Sequence, residues 1–169
     1  MDFSALLNTM LSGESVAGME NLTGASGTEV ESVLSSVLPS LLSGAQGQAE
    51  NEATAEGFAG ALADHAKDDT SDLAAFLSNV DLEDGGKIVA HLLGGSQQQT
   101  TQQAADASGL NFGQASSIIS AAAPLLMSLL GQQNQQSQQQ SSGLGALGSL
   151  FGGGGLDFGS LISGIFGGK

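Results

Sequence analysis

The chain has no cysteine, no tryptophan, no tyrosine and no arginine, and only three lysines and two prolines among its 169 residues. Each absence closes off a class of chemistry. Without cysteine there is no disulfide, no thiolate nucleophile and no thiolate-bound metal, and the composition suits a reducing compartment. Three lysines cannot neutralise a phosphate backbone, which argues against nucleic acid as a partner. Aromatic residues make up 4% of the chain and all are Phe, so small aliphatic side chains must fill the core, which favours packed helices over a β-sandwich. No basic residue precedes the first apolar residues, so a secretory signal is not expected. No run of about 18 uninterrupted apolar residues occurs, so no ordinary membrane-spanning helix is expected either. These readings place the protein in the cytoplasm.

What is present is acid, glycine and aliphatic carbon. The net charge is −14, the apolar fraction 40% and the mean hydropathy +0.10. The charge is lopsided: 16 of the 17 acids and two of the three lysines precede residue 107, and only Asp157 and Lys169 follow it. A solvated acidic surface accounts for this pattern, with a basic partner or a saline habitat as the alternatives.

The two prolines organise the chain. Pro39 and Pro124 stand 85 residues apart, and at that offset Gly24, Ser32, Ser35, Leu41 and Ser43 also meet identical residues. Ser26 with Glu29, and Asn111 with Gln114, fall at one repeat position and both read as capping boxes. Val30, Val33, Leu34, Val37, Leu38 and Leu41 then recur at helical spacing, as do Ala115, Ile118, Ile119, Ala122, Ala123 and Leu126. Each proline falls inside that pattern. It should bend or restart its helix at a cost of about 3 kcal/mol, stranding the carbonyl of Ser35 in one copy and Ser120 in the other.

Continued upstream, the offset sets Phe3, Leu6 and Leu7 on Ile88, His91 and Leu92. The unit is then three helices long, near residues 2–44 and again 87–129. Between the copies Phe58, Ala61, Leu62 and His65 mark one amphipathic helix; Leu73, Phe76, Leu77 and Val80 mark another after the cap candidate Ser71. Asp84-Gly85-Gly86 should break the chain before the second copy. The expected fold is an all-α, compact bundle of two related three-helix units over residues 1–131. Residues 132–155 read as a Gln-rich, then Gly-rich flexible linker. Residues 156–169 read as a short amphipathic helix.

The run Asp84-Gly-Gly-Lys-Ile-Val-Ala-His-Leu-Leu-Gly-Gly95, with Ser108-Gly-Leu110, Ala123-Pro-Leu-Leu-Met127 and Leu38-Pro-Ser-Leu-Leu42, resembles the bacterial YidB-like family, domain of unknown function 937, over roughly residues 1–131. The resemblance implies a compact all-helical domain. The family carries no established activity, so it transfers no catalytic residue.

Nothing in the residues themselves assembles an active site. The alternate acids of Asp81-Leu-Glu-Asp-Gly85 have the wrong spacing for a calcium loop, and Leu92 stands where a closing Glu belongs. Gly152–Gly155 lacks the Lys-Ser or Lys-Thr of a phosphate loop. Asp64, Asp68, Asp69 and Asp72 around Lys67 read as a solvated helix junction. Two dispersed histidines give neither a nucleophile–base pair nor a metal set, so no cofactor or metal is expected and the protein reads as a non-enzyme. His65 and His91 lie on apolar stripes, and His91 occupies the repeat slot of Leu6, so a packed structural role is expected. A ligand role for His91 with Asp84 is the alternative.

The remaining signal is at the far end. Residues 157–168 copy residues 2–13: Asp157 falls on Asp2, Phe158 on Phe3, Leu161 on Leu6, Ile162 on Leu7, Ile165 on Met10 and Phe166 on Leu11. Phe158, Leu161, Ile162, Ile165 and Phe166 share one helical face. Interior glycines cost about 1 kcal/mol each, so the segment should be helical only when docked. The expectation is a self-association or interaction protein that uses this copied helix. A membrane surface is the alternative partner, disfavoured by the shortage of basic residues that would meet anionic lipid.

Overall fold

The computed structural model describes residues 3–138, with side chains for residues 4–135. Among the described residues there is no strand. Eight α-helices follow one another: α1 Phe3–Met10, α2 Gly13–Thr23, α3 Gly27–Glu50, α4 Glu52–His65, α5 Leu73–Ser78, α6 Leu82–Leu93, α7 Gln97–Ser108 and α8 Phe112–Gln138. A single 3-10 turn, Gly94–Ser96, joins α6 to α7. The fold is all-α.

The repeat is realised helix by helix in its last two elements. Both α2 and α7 end on a left-handed glycine, Gly24 at φ 75° and Gly109 at φ 78°, a backbone conformation that side chains resist. Thr23 and Ser108 each donate a hydroxyl to the carbonyl four residues back, Met19 in one copy and Ala104 in the other. The next helix starts from the expected caps. Ser26 and Glu29 form the full capping box. In the second copy Gln114 N–H donates to Asn111 Oδ1, while the Gln114 side chain accepts from the Asn111 side chain instead of its backbone. All twelve apolar positions predicted on these two helices are buried.

Neither proline restarts its helix: helical backbone runs through Pro39 to Glu50 and through Pro124 to Gln138. The two prolines nonetheless meet different surroundings. Ser35 and Pro39 are exposed, on a side of α3 that solvent reaches. Ser120 and Pro124 are buried, and there α6 lies against α8, with Gly85 so close to the Ser120 carbonyl oxygen that any Cβ would collide with it. A Cα–H facing a carbonyl is a weak donor, and it stands where the proline removed the ordinary one.

This contact corrects the expected break at Asp84-Gly85-Gly86. The two glycines lie inside α6, which begins at Leu82 with Asp81 as its N-cap. They mark close packing instead of a chain break. The cap of α5 is likewise Asp72, not Ser71, whose hydroxyl donates to Asp69.

α8 is the axis of the bundle. Every residue from Ile118 to Gly131 is buried, and α6 and α4 pack along it most extensively, with α7, α3, α2 and α1 also in contact. Gly131 repeats the device of Gly85: a Cβ there would collide with the Leu62 carbonyl of α4. By length and composition Phe112–Gln135 could cross a membrane, contrary to the expectation of no such segment, but 78% of its apolar window is buried inside the protein. An all-round apolar helix of this kind is what the centre of a bundle requires.

Gly85 and Gly57 are both helix-interior glycines, and they should respond oppositely to alanine. Gly57 has nothing within 4 Å of a Cβ position, so Gly57→Ala should gain about 0.5–1 kcal/mol from propensity. Gly85→Ala should lose about 1–3 kcal/mol to overpacking. Urea unfolding of the two variants checks the sign.

Candidate interaction site

The first helix sits where the repeat does not predict. α6 presses Gly85, Val89, Leu92 and Leu93 inward. The equivalent face of α1 would include Ser4, Leu7 and Asn8, yet Ser4 and Asn8 are exposed. Instead α1 buries Leu6 at 5% exposure and Met10 at 0%, with Leu7 and Leu11 half-buried beside them. It rests on α8 and α2 and has no substantial contact with α3. An eight-residue helix is too short to hold itself together, so this seat holds it through two fully inserted side chains, one turn apart.

A polar corner fixes the exit from that seat. Ser12 caps α2, its hydroxyl accepting from Ser15 N–H and donating to Ser15 Oγ. The buried Ser15 hydroxyl in turn donates to the Thr9 carbonyl at 2.9 Å. The last turn of α1 is thereby tied to the first turn of α2.

His91 does not occupy a packed slot. It is exposed, and its backbone carbonyl accepts from the Gln48 side chain at 2.9 Å. The reason is the same rotation: the α6 face that turns inward contains Val89 and Leu92, leaving position 91 outside although its repeat partner Leu6 points in. Asp84 is exposed as well, seven residues earlier on the same helix, which sets the two about 10 Å apart along the axis. Among the described residues no group of three His, Asp or Glu could hold a metal ion.

The second histidine belongs to a network that spans distant parts of the sequence. His65 Nδ1 lies 3.0 Å from Asp68 Oδ2, which also accepts from the Ser128 hydroxyl at 2.9 Å. Gln132 Nε2 donates to the Asp68 carbonyl and to Thr70 Oγ1. Together they latch the α4–α5 junction onto α8. A serine, a histidine and an aspartate are present, but the carboxylate stands between the other two. The hydroxyl therefore has no imidazole to take its proton, and the arrangement does not make a nucleophile. The other junction acids have local work: Asp64 pairs with Lys67 at 3.0 Å, Asp69 accepts from Ser71, and Asp72 caps α5. The solvated-junction reading held for these and missed the latch, because Ser128 and Gln132 lie 60 or more residues away.

The reading of residues 132–155 as linker also changes at its start. α8 continues through Gln138; Gln132 is part of the latch, and Asn134 is 2% exposed with no partner for its Oδ1. The remaining linker residues and all five of Phe158, Leu161, Ile162, Ile165 and Phe166 lie outside the described residues.

Two outcomes follow. A buried, unpaired amide oxygen costs about 1–3 kcal/mol, so Asn134→Leu should raise the thermal midpoint. The Glu29 carboxylate is held below its ordinary range by the Ser26 backbone N–H and hydroxyl, and Asp69 by the Ser71 hydroxyl and N–H. A depressed carboxylate stabilises the fold above its unfolded pKa and loses that contribution as pH falls through its folded value. Urea midpoints should therefore fall below about pH 4, and Glu29→Gln should shallow that decline.

A family profile described as bacterial protein of unknown function (DUF937) matches residues 5–133. No curated protein and no solved structure matches significantly. The matched span runs from within the first helix through Gln132 of the latch and stops one residue short of Asn134, taking in the α6 glycines and both prolines. The chain belongs to this YidB-like DUF937 family of bacterial proteins.

Proposed function

We propose that the protein is a non-enzymatic self-association domain, and that residues 157–168 are the segment through which one copy binds another. The observation that carries this reading is the match between the copied segment and the burial of α1. Positions that α1 inserts, Leu6 and Met10, correspond to Leu161 and Ile165. Its half-buried flanks, Leu7 and Leu11, correspond to Ile162 and Phe166. Its exposed positions, Ser4, Ala5, Asn8 and Gly13, correspond to Gly159, Ser160, Ser163 and Gly168. The copy thus keeps apolar side chains where they are inserted and small or polar residues where they are not. A sticky low-complexity tail has no reason to observe that distinction.

Size-exclusion chromatography with light scattering tests the proposal over a wide dilution series. The parent should show a mass above the monomer that falls on dilution. The full-length Leu161→Ser/Ile165→Ser variant should stay monomeric, since each inserted aliphatic side chain is worth about 1.5–3 kcal/mol. Equal monomeric masses for both chains would contradict the proposal. Tail-dependent flotation on anionic vesicles without self-association would replace it with a membrane partner.

A further inference from the structure

We propose that the acceptor for residues 157–168 is the α1 seat itself, formed by α2 and α8, so that association proceeds by exchange: the terminal segment of one copy displaces α1 of another. This rests on the self-association reading and adds the surface and the consequence.

Two helical seats in the domain are related to the copied segment by sequence, and the side chains distinguish them. Placed on α6 at the repeat offset, the copy would put Gly159 on the buried Val89, Ser163 on the buried Leu93, and Leu161 on the exposed His91. It would empty two inserted positions and fill one that faces water. Placed on α1, every inserted or flanking position receives Leu, Ile or Phe and every exposed one Gly or Ser. The α6 seat is further closed by the glycine contact with the Ser120 carbonyl. The copy is fitted to the α1 seat and unfitted to the other.

The α1 helix is also the element that can leave. It is eight residues long, inserts two side chains and, among the described residues, rests chiefly on α2 and α8. Ser12 lies just beyond α1 and caps α2 through the Ser15 N–H, so α2 keeps that cap when α1 leaves, and the one polar tie to be broken is the Ser15 hydroxyl on the Thr9 carbonyl. The chain beyond Gln138 has 18 residues before Asp157, a length that allows a separation on the order of 25 Å as a random coil. α1 itself rests on α8, so a neighbour's seat is within reach once two copies meet. Each chain offers one seat and two segments whose sequences fit it. Exchange between two copies closes as a symmetric pair, and exchange passed onward makes an open chain.

Hydrogen exchange on two full-length proteins tests this: the parent and Leu161→Ser/Ile165→Ser, both at a concentration where the parent is associated. The parent should lose protection at the amides of Leu6 to Met10 relative to the variant, with α3 and α8 unchanged between them. Equal α1 protection in the two proteins, with their masses still different, would overturn the seat and leave self-association standing. Lost α1 protection in a parent that stays monomeric would support the seat, filled within one chain, and would overturn self-association. A synthetic peptide of residues 2–13 supplies a second readout without altering the protein. It should disperse the parent's oligomers, whereas the same peptide carrying Leu6→Ser and Met10→Ser should not. Oligomers indifferent to both peptides would overturn the exchange.

Discussion

A helix buried on every side needs neighbours that can come close to it, and α8 obtains them through missing side chains. Gly85 of α6 lies over the Ser120 carbonyl and Gly131 of α8 lies over the Leu62 carbonyl, each at a separation no Cβ allows. Ala121, Ala122 and Ala123 continue the small-residue surface between them. Aromatic residues are not needed at the centre of such a core, and none is among the largest fully buried side chains. Pro124 belongs to the same device: the hydrogen bond it deletes frees the carbonyl that Gly85 approaches. The arrangement exchanges helix propensity for close contact, which is favourable only when the neighbouring helix is in place.

The duplication explains the symmetry of the domain and also its asymmetry. From the glycine cap through the proline, the two units share the cap position, the buried apolar positions and the proline, down to the hydroxyl of Thr23 or Ser108 on the preceding turn. They part at the first helix of each. α6 is twelve residues long and lies on both long helices; α1 is eight, is rotated, and lies on α8 and α2. One consequence is that the proline face of α3 stays in water while that of α8 is sealed. The other is a separate seat for α1, and the terminal segment copies the residues that fill that seat, not those that fill its counterpart.

The helices and their apolar faces were legible because a 3.6-residue period, a capping serine and a left-handed glycine are local signals. The duplication sharpened them by supplying each signal twice. Three features were not legible. Gly85-Gly86 looked like punctuation, since a glycine needed for contact and one needed for a turn are the same letter until the neighbour is known. His91 was assigned inward from Leu6, because sequence equivalence fixes a position along a helix but not the helix's rotation about its own axis. The latch among His65, Asp68, Ser128 and Gln132 has no sequence signature, as its partners meet only across the bundle. Of the candidate site, the donor segment was visible from composition and repetition. The acceptor proposed for it could be chosen only when burial separated Leu6 and Met10 from Ser4 and Asn8.

Met10 offers the most direct view of whether the copied segment competes for the first helix's seat. It is fully buried as the anchor of α1, while Met127, at 3% exposure, reports from α8. In methionine-methyl NMR of the full-length Leu161→Ser/Ile165→Ser variant, whose own terminal segment cannot compete for the seat, a synthetic peptide of residues 157–168 should move the Met10 signal to a solvent-exposed position as it saturates. Met127 should keep a core-like shift throughout. A Met10 signal that stays in place at saturating peptide would contradict the account, because the seat would then recognise only the helix it already holds.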